Sequence, residues 1–206
     1  MPDRALDDLA TALVDVGRQA FSLGWVPATS GNFSARLDDE RIAITVSGSH
    51  KGHLNTADIM LIDEEGESLD DKQPSAETLL HTWLYQWSPD IHAVLHTHSM
   101  RSTVLSRVAD GEVLLDGLEV LKAFDGIDTH ETELVIPVFP NDQDMTCLSR
   151  QVGEYLLQHP HVPGYLIAGH GLYTWGSSIS TALRHLEAFE FLFDCALEMR
   201  RLEERR

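Results

Sequence analysis

Residues 93–106, AVLHTHSMRSTVLS, constrain the fold more than any other stretch of the chain. An apolar run leads into His96, Thr97 and His98, and Ser99 then opens a helical pattern. Residues two apart on a strand point to the same face, so His96 and His98 can converge on one ion. Zinc takes imidazole nitrogens at about 2.0–2.1 Å, and a catalytic zinc usually has three protein ligands and one open position. A third ligand must therefore come from elsewhere. His170, in AGHGLY, is the best candidate, because its flanking glycines let the backbone approach a crowded site. The other histidines are weaker. His159 and His161 flank Pro160 in a loop, His50 and His53 sit in the loop GSHKGH, and His81, His92, His130 and His185 are isolated. Spacing alone leaves the His96/His98 pair open, since short motifs also match by accident.

Hydrophobic spacing sets the elements around that strand. Leu6, Leu9, Leu13, Val16, Ala20 and Leu23 recur at helical intervals and end at Gly24, predicting a helix over 6–24. Phe33, Ala35 and Leu37, then Ile42, Ile44 and Val46, alternate with polar residues about an acidic turn, as in a hairpin. IMLID and the segment near Leu69 predict a further hairpin around 64–66. Helices are expected over 75–87, with Ser75 as N-cap and Glu77 in the first turn, over about 99–108, over 142–158, and from about 178 to the basic end. LVIPVF reads as a buried strand, and GYLIAGHGLYTWG as a strand entering a glycine-flanked turn. This intermixing predicts an α/β sandwich with a mostly antiparallel or mixed sheet. With no repeat, low-complexity segment or linker, one domain over 1–206 is expected.

The net charge of −18 limits the partners. Nucleic-acid binding needs clustered Lys and Arg, so no nucleic acid is expected. An anionic substrate would be repelled by the whole-molecule field, and a phosphate site would need backbone N–H groups, a metal or a lysine nearby. No apolar run approaches the ~20 residues that span a bilayer, and the acidic N-terminus lacks a signal-peptide pattern, so no membrane is expected. Cys147 and Cys195 do not make a disulfide framework, and a reducing cytoplasm follows as the expectation. The nucleophile elbow, the P-loop and the dinucleotide fingerprint are all missing from the sequence.

Taken together, ATSGNFSAR, VSGSHKG, KQPSAETLLHTWLY, AVLHTHS and GHGLYTWG resemble the class II aldolase family, in that family's order over residues 25–176. WVPATSGNFSAR, LEVLKAFDGIDTHE, FPNDQDM and ALRHLEAFEFLFDC narrow the resemblance to a dehydratase branch acting on a methylthio-substituted ketopentose phosphate. The resemblance implies a three-layer sandwich with helices flanking the sheet, and a homotetramer with active sites near subunit interfaces. It implies one zinc per subunit held by His96, His98 and His170, in agreement with the spacing.

It also implies a phosphate pocket formed by Asn32, Ser47, Gly48 and Ser75, with Lys51 as an extra cation, although taken alone these are ordinary turn residues and a solvent-facing lysine. Two carboxylates compete for acid–base work. Glu77 stands where the family's aldolases carry theirs, and Glu119, in GLEVLKAF, stands where the dehydratase branch carries its own. Glu119 is preferred, with Glu77 near the metal as second choice. The blander readings are a first-turn carboxylate for Glu77 and an exposed one for Glu119. Phe124, Tyr173 and Trp175 are candidates to meet the methylthio group, against a core or interface role. The same zinc chemistry serves aldolases and pentulose-phosphate 4-epimerases. Adducin-like binding modules similar to the family lack the zinc histidines.

Overall fold

The first amphipathic stretch forms helix α1 (Arg4–Ser22), which buries Leu13, Val14, Val16 and Ala20, and the turn after it has Gly24 at φ +76°. The chain is described here by a computed structural model over residues 4–205, so residues 1–3 and 206 of the expected domain lie outside the described residues. Strands β1 (Asn32–Arg36) and β2 (Ile42–Thr45) make the first hairpin, and β3 (Ile59–Ile62) adds antiparallel to β2. The hairpin expected around 64–66 shrinks to a single bridge, Ile62 to Ser68, because residues 70–77 leave the sheet as loop.

Helix α2 spans Thr78–Trp87, three residues later than expected. Ser75 does not cap it. The Thr78 N–H donates to the Ser75 carbonyl at 3.0 Å, so residues 75–77 form a turn ahead of the helix, with Glu77 at the N-cap position. Strand β4 (Ala93–Thr97) is buried on both faces and runs through Ser99 into α3 (Met100–Val108), where the Ser99 hydroxyl accepts from Ser102 N–H. Strand β5 (Glu112–Asp116) was not expected; it pairs with β6 (Glu133–Phe139), burying Val113 and Leu115. Helix α4 (Met145–Gln158) is capped by Asp144, whose carboxylate accepts from Thr146 and Cys147 N–H. The segment read as one strand and a turn is a hairpin, β7 (Gly164–Ile167) and β8 (Gly171–Gly176), with His170 in its turn. Helix α5 (Ile179–Glu203) closes the fold.

The eight strands make one sheet in the order β3-β2-β1-β4-β8-β7-β6-β5, antiparallel throughout except for β6 with β7. Helices α1, α3 and α5 form one packed layer, and α2 packs on α4 as another. This is the α/β sandwich expected, with a mixed sheet. Leu186, Phe189, Leu192 and Phe193 of α5 are fully buried, and each such side chain contributes about 1.5–3 kcal/mol by leaving water. The central strands β1, β4 and β8 place Asn32 opposite His96 and His96 opposite Tyr173. That row is the floor of the site.

Candidate metal centre and phosphate cavity

His96 is the penultimate residue of β4 and His98 the second after it, and the period of two aims both rings the same way. His98 is fixed by its backbone N–H donating to the Trp25 carbonyl at 2.9 Å. His170 comes from the β7–β8 turn, held on α3 by Thr103 Oγ1 donating to its carbonyl at 2.9 Å and by Gly169 N–H donating to Ser106 Oγ at 3.0 Å. The glycines matter as expected. Gly169 adopts φ +65°, and a Cβ on Gly171 would stand 2.0 Å from the Thr97 carbonyl oxygen.

The three Nε2 atoms face one another. They are 2.7 Å apart for His96 and His98, 3.0 Å for His98 and His170, and 3.3 Å for His96 and His170. Glu77 closes the group with Oε1 at 3.0 Å from His170 Nε2 and Oε2 at 3.7 Å from His96 Nε2. Tetrahedral ligation at about 2.0–2.1 Å would separate such nitrogens by roughly 3.3 Å, so the set is close to what an ion requires. His96 Nδ1–H donates to the Leu172 carbonyl at 2.9 Å, and His170 Nδ1 lies 3.3 Å from Asn141 Oδ1. These partners fix the tautomers that leave Nε2 lone pairs for a metal.

Electrostatics agree with ligation. Burial drives His96 well below the usual imidazole range, with Glu77 opposing, and pushes His98 down to about 4, with His170 adding to the effect. Both rings are therefore neutral near pH 7. Burial alone would raise the Glu77 carboxyl, but the facing His96 and His170 rings and the Asn32 amide hold it below the ordinary carboxylate range. Three imidazoles and an ionised carboxylate, with all donor atoms within 4.8 Å of one another, can hold a divalent cation.

A cavity of about 180 Å³ opens beside this cluster. Asn32, Ser47, Gly48, Lys51 and Ser75, the five residues expected at a phosphate, line it together with Glu77 and His98. Lys51 is not solvent-facing. Its side chain is buried, and Nζ donates to the Thr29 and Ser49 carbonyls at 3.2 and 2.6 Å. Burial pushes it down to about 8, with Glu77 and Asp58 opposing. Two of its three N–H groups are thus occupied and one remains for a ligand.

Glu119 is elsewhere. It is exposed in a short 3-10 turn (Glu119–Ala123), paired with Lys122 at 2.6 Å and His130 at 3.4 Å, and it does not line the cavity among the described residues. Phe124, Tyr173 and Trp175 are buried core residues and none lines that cavity; Tyr173 stacks on His96 with ring centres 3.9 Å apart. What the sequence reading missed is behind Glu77, where the isolated His81 contacts Asn32. Its signal was the spacing of Glu77, His81 and Tyr85, four residues apart and so on one face of a helix.

The model for the Class II Aldolase and Adducin N-terminal domain matches residues 11–197. The chain is 58% identical to methylthioribulose-1-phosphate dehydratase of Methylococcus capsulatus, covering 97% of this chain and 98% of that one. It is 54% identical to the protein of the same name from Pseudomonas aeruginosa, covering 94% and 95%. Among solved structures, Escherichia coli YgbL aligns with a TM-score of 0.81 at 25% identity, covering 94% of this chain and 90% of that one. L-fuculose-1-phosphate aldolase from Thermus thermophilus aligns at 0.76 with 24% identity, covering 98% and 99%, a likeness of fold alone. On the length of the family match, and on relatives more than half identical from end to end, the chain belongs to the class II aldolase and adducin family.

Proposed function

We propose that the chain is a zinc-dependent methylthioribulose-1-phosphate dehydratase, a hydro-lyase working as a cytoplasmic homotetramer. The observation that carries the reading is the joining of two sites: the His96–His98–His170–Glu77 cluster shares a cavity with the Ser47, Gly48, Ser75 and Lys51 loops. The relatives' name supplies the substrate that fits it, a phosphate ester with a ketone close by.

His96, His98 and His170 would hold the zinc. When bound, the ion supplies Lewis acidity, which polarises the substrate C2 carbonyl and acidifies the proton on C3. Ser47, Ser75 and Asn32, the Gly48 backbone and the free Lys51 N–H bind the phosphate and so fix C3 relative to the carboxylates. A carboxylate takes the C3 proton, leaving an enediolate. The C4 hydroxyl, β to the carbonyl, is protonated and departs as water. The resulting enol tautomerises to 2,3-diketo-5-methylthiopentyl 1-phosphate, with no redox change.

Within one chain, the carboxylate at the cluster is Glu77, ionised and 3.0 Å from His170. Glu119 takes the proton transfers only if another copy in the tetramer carries it to the site. Treatment with a chelator tests the metal's part. Water-releasing activity should vanish and return with one equivalent of zinc per chain; activity indifferent to chelation would remove the cluster from the reaction.

A further inference from the structure

A line of buried polar groups runs from Glu77 into the core between α2 and β1. Asn32 Nδ2 donates to Glu77 Oε2 at 2.6 Å, and Asn32 Oδ1 bonds His81 Nε2. His81 Nδ1 bonds Ser34 Oγ at 2.7 Å, and Ser34 Oγ bonds the Tyr85 hydroxyl at 2.8 Å. Asn32, Ser34, His81 and Tyr85 are all at most 4% exposed. Asn32 and Ser34 share one face of β1, and the N-cap residue Glu77 is followed at intervals of four by His81 and Tyr85 of α2.

Chemistry fixes the direction of every bond. An ionised carboxylate only accepts, so Asn32 turns its NH2 to Glu77 and its carbonyl oxygen to His81. His81 must then carry its proton on Nε2, which leaves Nδ1 to accept from the Ser34 hydroxyl and the Ser34 oxygen to accept from Tyr85. The opposite His81 tautomer would favour the flipped Asn32 amide and set its oxygen against the carboxylate.

On the reading of the site given above, we infer that His81 is a positioning residue: through Asn32 it holds the Glu77 carboxylate in place, its tautomer set by Ser34 and Tyr85. The second N–H of Asn32 is left for the phosphate cavity it lines, so one amide orients both the carboxylate and the substrate.

Two measurements on the zinc-loaded protein test this. With [15N]histidine labelling, long-range proton–nitrogen spectra should show His81, identified by its loss in His81→Gln, as the Nε2–H tautomer; the Nδ1–H tautomer would overturn the inference. In kinetics, His81→Leu should lower kcat about 10–100-fold with KM within about twofold and zinc retained. His81→Gln, whose amide N–H can reach Asn32, should recover most of that loss. An unchanged kcat, or a His81→Gln no better than His81→Leu, would overturn it. Should His81→Leu not fold, Ser34→Ala replaces it, with a lower kcat supporting the inference and an unchanged kcat opposing it. A wild-type protein without turnover would sink the proposed reaction, and the tautomer would then decide His81's role alone.

Discussion

Lys51 sits fully buried beside a carboxylate in a chain of net charge −18. The carbonyls of Thr29 and Ser49 hold its ammonium, and burial brings it down to about 8. The charged form exists below that value, so attraction for a phosphate is lost as pH rises through it. KM should therefore climb above about pH 8 while kcat holds, and Lys51→Met should show a raised KM at pH 7 with no such inflection. A wild-type KM flat to pH 9 would remove Lys51 from binding. Glu190 of α5 behaves oppositely. Burial raises its carboxyl to about 7, with Ser99 and Arg101 opposing. The folded state keeps a proton that the unfolded chain has released, so its contribution to stability is present below about 4.5 and lost as pH rises through 7. Glu190→Gln should raise Tm at pH 8 and much less at pH 5, at about 2–4 °C per kcal/mol; Arg101 keeps Asp194 at 2.6 Å as partner. An equal shift at both pH values would mean that the charge is not the cause.

Among the elements, β4 and the β7–β8 hairpin carry the centre, and both were largely legible. The period of a strand put His96 and His98 on one side, and the glycines about His170 marked a close approach. That approach is severe at Gly171, where a Cβ would meet the Thr97 oxygen at 2.0 Å. Gly171→Ala should destabilise the protein by about 3 kcal/mol or more and weaken metal binding; a melting curve and metal analysis like those of wild type would show that the hairpin can yield. Less legible was whatever depends on distant contact. Ser75 looked like a helix cap because the turn before α2 uses the same residue types. Lys51 looked exposed because nothing local to it reveals the loop of Thr29 that covers it. His81 looked isolated because its partners, Asn32 and Ser34, lie more than forty residues away in sequence. Strand β5 was passed over although Val113 and Leu115 alternate with exposed residues.

For the molecule as a whole, the acidic charge would repel a phosphorylated substrate at long range, so on the proposed reading binding would depend on local groups: the loop N–H donors, Lys51 and a metal held by the histidines. The proposed homotetramer would matter as much. In one chain Glu119 pairs with Lys122 and His130 on the surface, while Glu77 is at the cluster. A positioned acid–base is worth about 10²–10⁴ in rate, so Glu119→Gln should keep zinc and lose activity on that scale if a neighbouring copy delivers it. Mixed oligomers of Glu119→Gln and His170→Ala should then regain activity, since some sites would combine an intact cluster with an intact carboxylate. Full activity in Glu119→Gln alone would leave the proton transfers to Glu77. The central claim meets its most direct test in a mass spectrum of the product from the zinc-loaded protein and methylthioribulose 1-phosphate. Loss of one water is the predicted result. Cleavage to dihydroxyacetone phosphate and methylthioacetaldehyde, or an unchanged mass, would contradict it.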